Sequence, residues 1–246
     1  MSKKISVQLY PYRHFDEDNL TSLLMQIATT TCQYVELTSE NMSRCPYLFE
    51  LIDKFRLKTS GIHVGLDEFD EIDLDCKRII RCVILENQWK PFLKFFKSHL
   101  NFSGRKIDFK GKANYQTKQF WIDLAERVSL LGDVTMHSHA FEHLPIVNGK
   151  RPWEILDNHL NKNVKFQFDL ENIPPESKDY FIDNPSILSR INSVHLDLDH
   201  ESAYSRSEKL DLLHQIKPEE FVIEQRSISI DKLKQQIYDL NSVTNP

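Results

Sequence analysis

The sequence predicts an α/β fold, a single-domain (β/α)8 TIM barrel over residues 1–246, and three observations point to it. A length of 246 residues matches one such barrel and leaves no second domain to place. Short runs rich in β-branched and aromatic residues alternate along the chain with stretches at helical spacing. In the second half, successive runs end in the metal-type side chains Glu142, Asp169, His195 and Glu224, spaced 27, 26 and 29 residues apart. Each interval holds about one strand and one returning helix, so parallel strands would bring all four side chains to one end of a sheet.

Ile5–Tyr10 alternates as a strand, and Leu20, Leu23, Leu24 and Ile27 share one helical face, making a first β/α unit. Tyr34–Leu37 reads as the second strand with Glu36 near its carboxyl end, followed by a helix through Leu48, Leu51, Ile52 and Phe55. Thr59–Leu66 is the third strand, carrying His63 between Gly61 and Gly65. Residues 73–87 show helical spacing but are β-branched over 79–85. The preferred reading places helices there and after Pro91, with the fourth strand at Lys106–Phe109; the alternative puts that strand at Cys82–Leu85. A helix over Gln116–Leu131 follows.

Strands are then expected at Val134–His139, Val164–Phe168, Ile191–Leu196 and Phe221–Glu224. Between and after them fall a turn at Asn148-Gly149, a helix opening at Pro152, a helical stretch reaching Arg190, and helices over Ser207–Ile216 and Ile230–Leu240.

A net charge of -5 argues against a nucleic-acid partner, since gripping a phosphate backbone calls for a basic excess. Cys32, Cys45, Cys76 and Cys82 form no C-x-x-C pair and read as reduced, buried thiols. No apolar run approaches membrane-spanning length, and the amino terminus lacks signal-peptide form, so a soluble cytoplasmic protein is expected.

Carboxylates and an imidazole gathered in one cavity cannot all remain unpaired, because isolated buried charge is costly. A divalent cation resolves the conflict, and this donor set suits Mn, Mg, Co or Zn. The expected metal ligands are therefore Glu142, Asp169, His195 and Glu224. His63, Arg226 and Lys110 are candidate substrate contacts, with Lys112 beside the last. His137 and His139 are read as satisfied strand histidines, and Trp89, Trp121 and Trp153 as packing residues.

The run His137-Ser138-His139-Ala140-Phe141-Glu142, then Asn148-Gly149-Lys150, Trp153-Glu154-Ile155-Leu156-Asp157, the strand ending in Asp169, Val194-His195-Leu196 and Ile223-Glu224 resembles the xylose isomerase-like barrel superfamily, in its sugar phosphate isomerase and epimerase branch. The opening Val7-Gln8-Leu9-Tyr10 with Arg13, and Tyr34-Val35-Glu36-Leu37, resemble that family's first two units. The resemblance implies that residues 1–246 form one xylose isomerase-like domain in which the strand-end quartet holds a metal. Glu142 and Glu224 would be the acid/base pair moving a proton beside a carbonyl of a small sugar, sugar phosphate or polyol. Two positions depart from the pattern: Asn172 stands where many sugar epimerases carry a His, and Glu201 where an Arg is common. A metal-dependent dehydratase or lyase on similar substrates, and a non-catalytic carbohydrate-binding barrel, are the alternatives; a metal-dependent endonuclease is disfavoured. The sequence leaves a homo-oligomer open.

Overall fold

The computed structural model describes residues 3–65, 80–84, 117–130, 134–138, 143, 147–200, 202–225 and 229–244. Within them eight parallel strands pair in sequence order: β1 (Lys4–Gln8), β2 (Tyr34–Thr38), β3 (Lys58–Gly65), β4 (Ile80–Ile84), β5 (Thr135–His137), β6 (Lys165–Asp169), β7 (Ile191–Leu196) and β8 (Glu220–Ile223). The sheet curls until β1, which pairs with β2 along one edge, meets β8 along the other.

The described helices are α1 (Glu17–Ala28), α2 (Ser39–Arg44), α3 (Leu48–Lys54), α4 (Lys118–Ser129), α5 (Pro152–His159), α6 (Pro175–Ile182), α7 (Pro185–Leu188), α8 (Arg206–Ile216) and α9 (Ile230–Thr244). Local chemistry sets their ends. Asp16 caps α1 by accepting from the Asn19 N–H, and Leu20, Leu23, Leu24 and Ile27 are buried as their spacing requires. Ser205 and Glu208 form a reciprocal capping box on α8, which ends where Lys217 turns left-handed at φ 53°. The stretch expected to run helical to Arg190 divides into α6 and α7, because Pro185 lacks a donor and Asn184 starts a new helix by accepting from Ser186 and Ile187. Asn148 (φ 51°) and Gly149 (φ 77°) make the tight turn that brings Val147 against Lys150.

The fourth strand corrects the preferred reading. Ile80–Ile84 pairs with β3 on one side and β5 on the other, so no place between them remains for Lys106–Phe109. A short, largely apolar run fits a helix face or a strand equally by periodicity, and pairing on both edges makes this one a strand. Residues 106–109 lie outside the described residues, and the argument that set Lys110 and Lys112 at a strand end goes with that strand. The 39–44 segment, assigned no element from the sequence, is α2, stitched by a capping box between Thr38 and Asn41.

The strands alternate between an apolar face and a polar one. Ile5, Val7, Val35, Leu37, Phe166, Phe168, Val194, Leu196, Phe221 and Ile223 are buried among the apolar residues shared with the helices. Lys4, Ser6, Gln8, Glu36, Gln167, Asp169 and His195 occupy the other face. Contacts between strands that are not neighbours in the sheet show that this second face looks into the barrel: Glu36 on β2 meets Gln167 on β6 and His195 on β7. Barrel interiors are commonly filled by Val, Ile and Leu. This one is lined by groups that need partners.

Candidate active site

Near the carboxyl ends of the strands the interior holds one continuous hydrogen-bonded layer. His63, His137 and His195 come from β3, β5 and β7, with ring centroids 4.7 to 5.0 Å apart, and all three are buried. Gln167 sits among them: its Oε1 accepts from His63 Nε2 at 2.8 Å and from His137 Nδ1 at 3.0 Å, while its Nε2 donates to Glu36 Oε1 at 2.9 Å. The other Glu36 oxygen lies 2.6 Å from His195 Nε2 and 3.0 Å from His63 Nε2. Gln8 approaches His63 Nδ1 at 3.4 Å and closes the chain on β1. Four strands, β2, β3, β6 and β7, thus meet around one carboxylate, and β1 and β5 join the same network through Gln8 and His137. Burial of this kind is tolerated because every member has a partner.

Above the layer stand the strand-end acids. Asp169 is the register partner of His195, and its backbone N–H is held by Ser138 Oγ. Glu224 Oε2 lies 3.3 Å from His195 Nδ1, so this imidazole stands between two carboxylates, Glu36 on one nitrogen and Glu224 on the other. Burial works against charge on His195, but the Glu36 charge and the hydrogen bonds to Glu224 and Glu36 outweigh it and raise the group to about 10. Burial also opposes charge on Glu36, yet His63 and His195 hold it well below the ordinary carboxylate value. Burial, and after it the charge of Glu224, push Asp169 up to about 7 against the pull of His195. A buried acid raised by its own burial and by a neighbouring carboxylate, beside an imidazole, is part of a donor set that a divalent cation would relieve. The residues present therefore fit a metal.

Of the expected site residues, Asp169, His195 and Glu224 come together at the carboxyl end, and His63 lies one level beneath them. Glu142, Arg226, Lys110 and His139 lie outside the described residues, as does Glu201. His137 is a satisfied histidine as expected, bonded to Gln167, although it faces the barrel interior. Asn172 replaces the expected family His but still reaches the site, donating its amide to Asp169 Oδ2. Trp153 belongs to packing: it is buried against Phe166 and Phe168, and its Nε1 donates to His143. Gln8, Glu36 and Gln167 were given no role by the sequence reading, although each is a polar residue at an inward position of a strand that alternates apolar and polar. That alternation was the signal available.

A curled parallel sheet with titratable side chains gathered inside its carboxyl end defines an α/β barrel-type protein whose site lies where such folds place their chemistry. No family model matches the sequence, and no curated protein matches it either. In fold the chain is similar to the sugar phosphate isomerase/epimerase of Parabacteroides distasonis ATCC 8503, at 12% identity and a TM-score of 0.63, over 100% of this chain and 96% of that one. It is similar to the D-psicose 3-epimerase of Clostridium cellulolyticum H10, a structure containing D-tagatose, at 12% identity and a TM-score of 0.56, over 98% and 99%. It is also similar to the probable 3-DHS dehydratase of Bacillus anthracis, at 13% identity and a TM-score of 0.57, over 96% and 98%. These neighbours have the fold that the sequence resemblance implied. No helix among the described residues is long and apolar enough to cross a membrane.

Proposed function

We propose that the whole chain forms one (β/α)8 barrel and acts as a divalent-metal-dependent isomerase or epimerase on a small sugar, sugar phosphate or polyol. The observation that carries the reading is the convergence of Asp169, His195 and Glu224 at the carboxyl end of the sheet, with His195 Nδ1 facing Glu224 at 3.3 Å. The fold likeness to a sugar phosphate isomerase/epimerase and to a D-psicose 3-epimerase supports the substrate class. Asp169, His195 and Glu224, with Glu142, would hold the cation, which when bound polarises substrate oxygens as a Lewis acid.

The two inner acids differ in access. The Glu224 side chain is 25% exposed and that of Asp169 only 5%, so Glu224 can meet a substrate while Asp169 is confined to holding. Glu224 takes a proton from the carbon beside the carbonyl; the C–H pair becomes the C=C bond of an enediol, and the carbonyl pair moves onto oxygen. Glu142 then delivers a proton from the opposite face, which inverts the centre, or to the adjacent carbon while the hydroxyl proton passes to the former carbonyl oxygen, which relocates the carbonyl. Arg226 is the proposed contact for a substrate anion, while His63, its nitrogens facing Gln8, Gln167 and Glu36, belongs to the layer beneath. Loss of water from the same enediol gives the dehydratase alternative, which the likeness to a probable 3-DHS dehydratase favours as the second reading.

Incubation with a panel of ketoses, their phosphates and polyols in D2O, with Mn2+ added back, tests this. The expected result is deuterium at the carbon next to the carbonyl, lost by at least 100-fold in Glu224→Gln, on the scale of a missing acid/base group. Products lighter by one water select the dehydratase. Binding of a sugar with no exchange and no product, unaffected by Glu224→Gln, would establish a carbohydrate-binding barrel and overturn the enzyme reading.

A further inference from the structure

The geometry points to Glu36 as a positioning residue that turns His195 so that Nδ1 is the atom it offers to a cation; this rests on the metal reading of the site. An imidazole that ligates through one nitrogen needs an acceptor for the N–H on the other, and that partner fixes both tautomer and ring angle. Glu36 Oε2 is 2.6 Å from His195 Nε2, deep in the barrel, whereas Nδ1 faces Glu224 and the strand-end acids. The Nε2 side is thus closed and the Nδ1 side open to the cation.

Glu36 is itself fixed from two further strands. Gln167 Nε2 holds Oε1 at 2.9 Å and His63 Nε2 holds Oε2 at 3.0 Å, leaving the carboxylate no room to rotate away. The His63 ring lies against the His195 ring at 5.0 Å and 14°, which sets the tilt of the ligand. Four strands, β2, β3, β6 and β7, therefore determine which nitrogen His195 presents.

The rival arrangement is a cation held by the three histidines. Their ligand nitrogens lie within 4.8 Å of one another, so the grouping deserves comparison. Nitrogens sharing a tetrahedral zinc at about 2.0–2.1 Å sit roughly 3.4 Å apart. The nitrogens of this cluster are, moreover, engaged with Gln167 and Glu36, and a cation there would displace His63 Nε2, His137 Nδ1 or His195 Nε2 from an acceptor already in place. On the Nδ1 side a cation would replace only the contact with Glu224, itself a proposed ligand, 3.3 Å away.

Zn2+ titration followed by calorimetry, paired with long-range 15N–1H spectra of the histidines, tests the assignment. In the wild type Zn2+ shifts the Nδ1 resonance of His195 while the Nε2 proton persists. Glu36→Gln lowers Zn2+ affinity by about 10- to 100-fold, the usual effect of losing a partner behind a metal-bound histidine, and Glu36→Asp recovers part of it. Zn2+ on Nε2 overturns the inference in favour of the three-histidine site. Unchanged affinity in a folded Glu36→Gln overturns it while leaving the metal reading intact. Absence of Zn2+ uptake by the wild type overturns the metal reading, and this inference with it.

Discussion

Replacing Gln167 by Leu tests whether the interior layer holds the barrel together. The substitution keeps the approximate volume and removes three bonds: two accepted, from His63 Nε2 and His137 Nδ1, and one donated, to Glu36 Oε1. His63 Nε2 keeps Glu36 as an acceptor, so that loss is small. His137 Nδ1 loses its Gln167 acceptor inside the protein, at about 1–3 kcal/mol for a buried donor. Glu36 loses one donor to a buried charge, about 1.5–3 kcal/mol more. The buried amide no longer has to be desolvated and Leu is apolar, which returns on the order of 1 kcal/mol. The net expectation is a destabilisation of about 1.5–5 kcal/mol. For a chain of this size that lowers Tm by roughly 3–20 °C. Urea unfolding of the EDTA-treated protein, read by circular dichroism and by tryptophan fluorescence, gives the difference directly. A change below about 0.5 kcal/mol, the level of an ordinary surface substitution, would show that the layer is not bonded as described.

Two further outcomes are expected. In the metal-free protein His195 is raised from 6.5 to about 10, so its contribution to stability is complete below pH about 6.5 and is lost as pH climbs through 10. Asp169, raised from 3.8 to about 7, acts in the same sense over pH 4–7, whereas Glu36, held well below 4.5, loses its contribution only on acidification beneath that value. Stability should therefore fall between pH 7 and 9.5, by up to ~1.4 kcal/mol per pH unit for one proton. Urea titrations across that range would contradict the assignment if stability rose, and His195→Asn should flatten the slope. Lys209→Met addresses a separate buried charge: Lys209 is fully enclosed, bonding Glu171 and the carbonyls of Asp197 and His200. Losing it leaves Glu171 without its buried cation and should cost about 3–5 kcal/mol, visible as a lower urea midpoint.

The sequence by itself determined the order of elements wherever local signals were strong. Ile191–Leu196 is β7 residue for residue, α1 buries the four positions its spacing marks, and Asn148-Gly149 is the turn its φ preferences demand. It also determined that Asp169, His195 and Glu224 stand at strand ends, because a parallel β/α repeat leaves its carboxyl ends on one side. The 80–84 run escaped it, since periodicity over five residues cannot separate a strand from a helix face and only pairing with β3 and β5 decides. The interior layer escaped it for a different reason. Gln8, Glu36, His63, His137, Gln167 and His195 are scattered over 188 residues, and nothing local in any of their strands names a partner on another. Hydrogen bonding acts over about 3 Å, so which imidazole nitrogen meets which carboxylate exists as a fact only after the sheet has curled and its non-adjacent strands face one another.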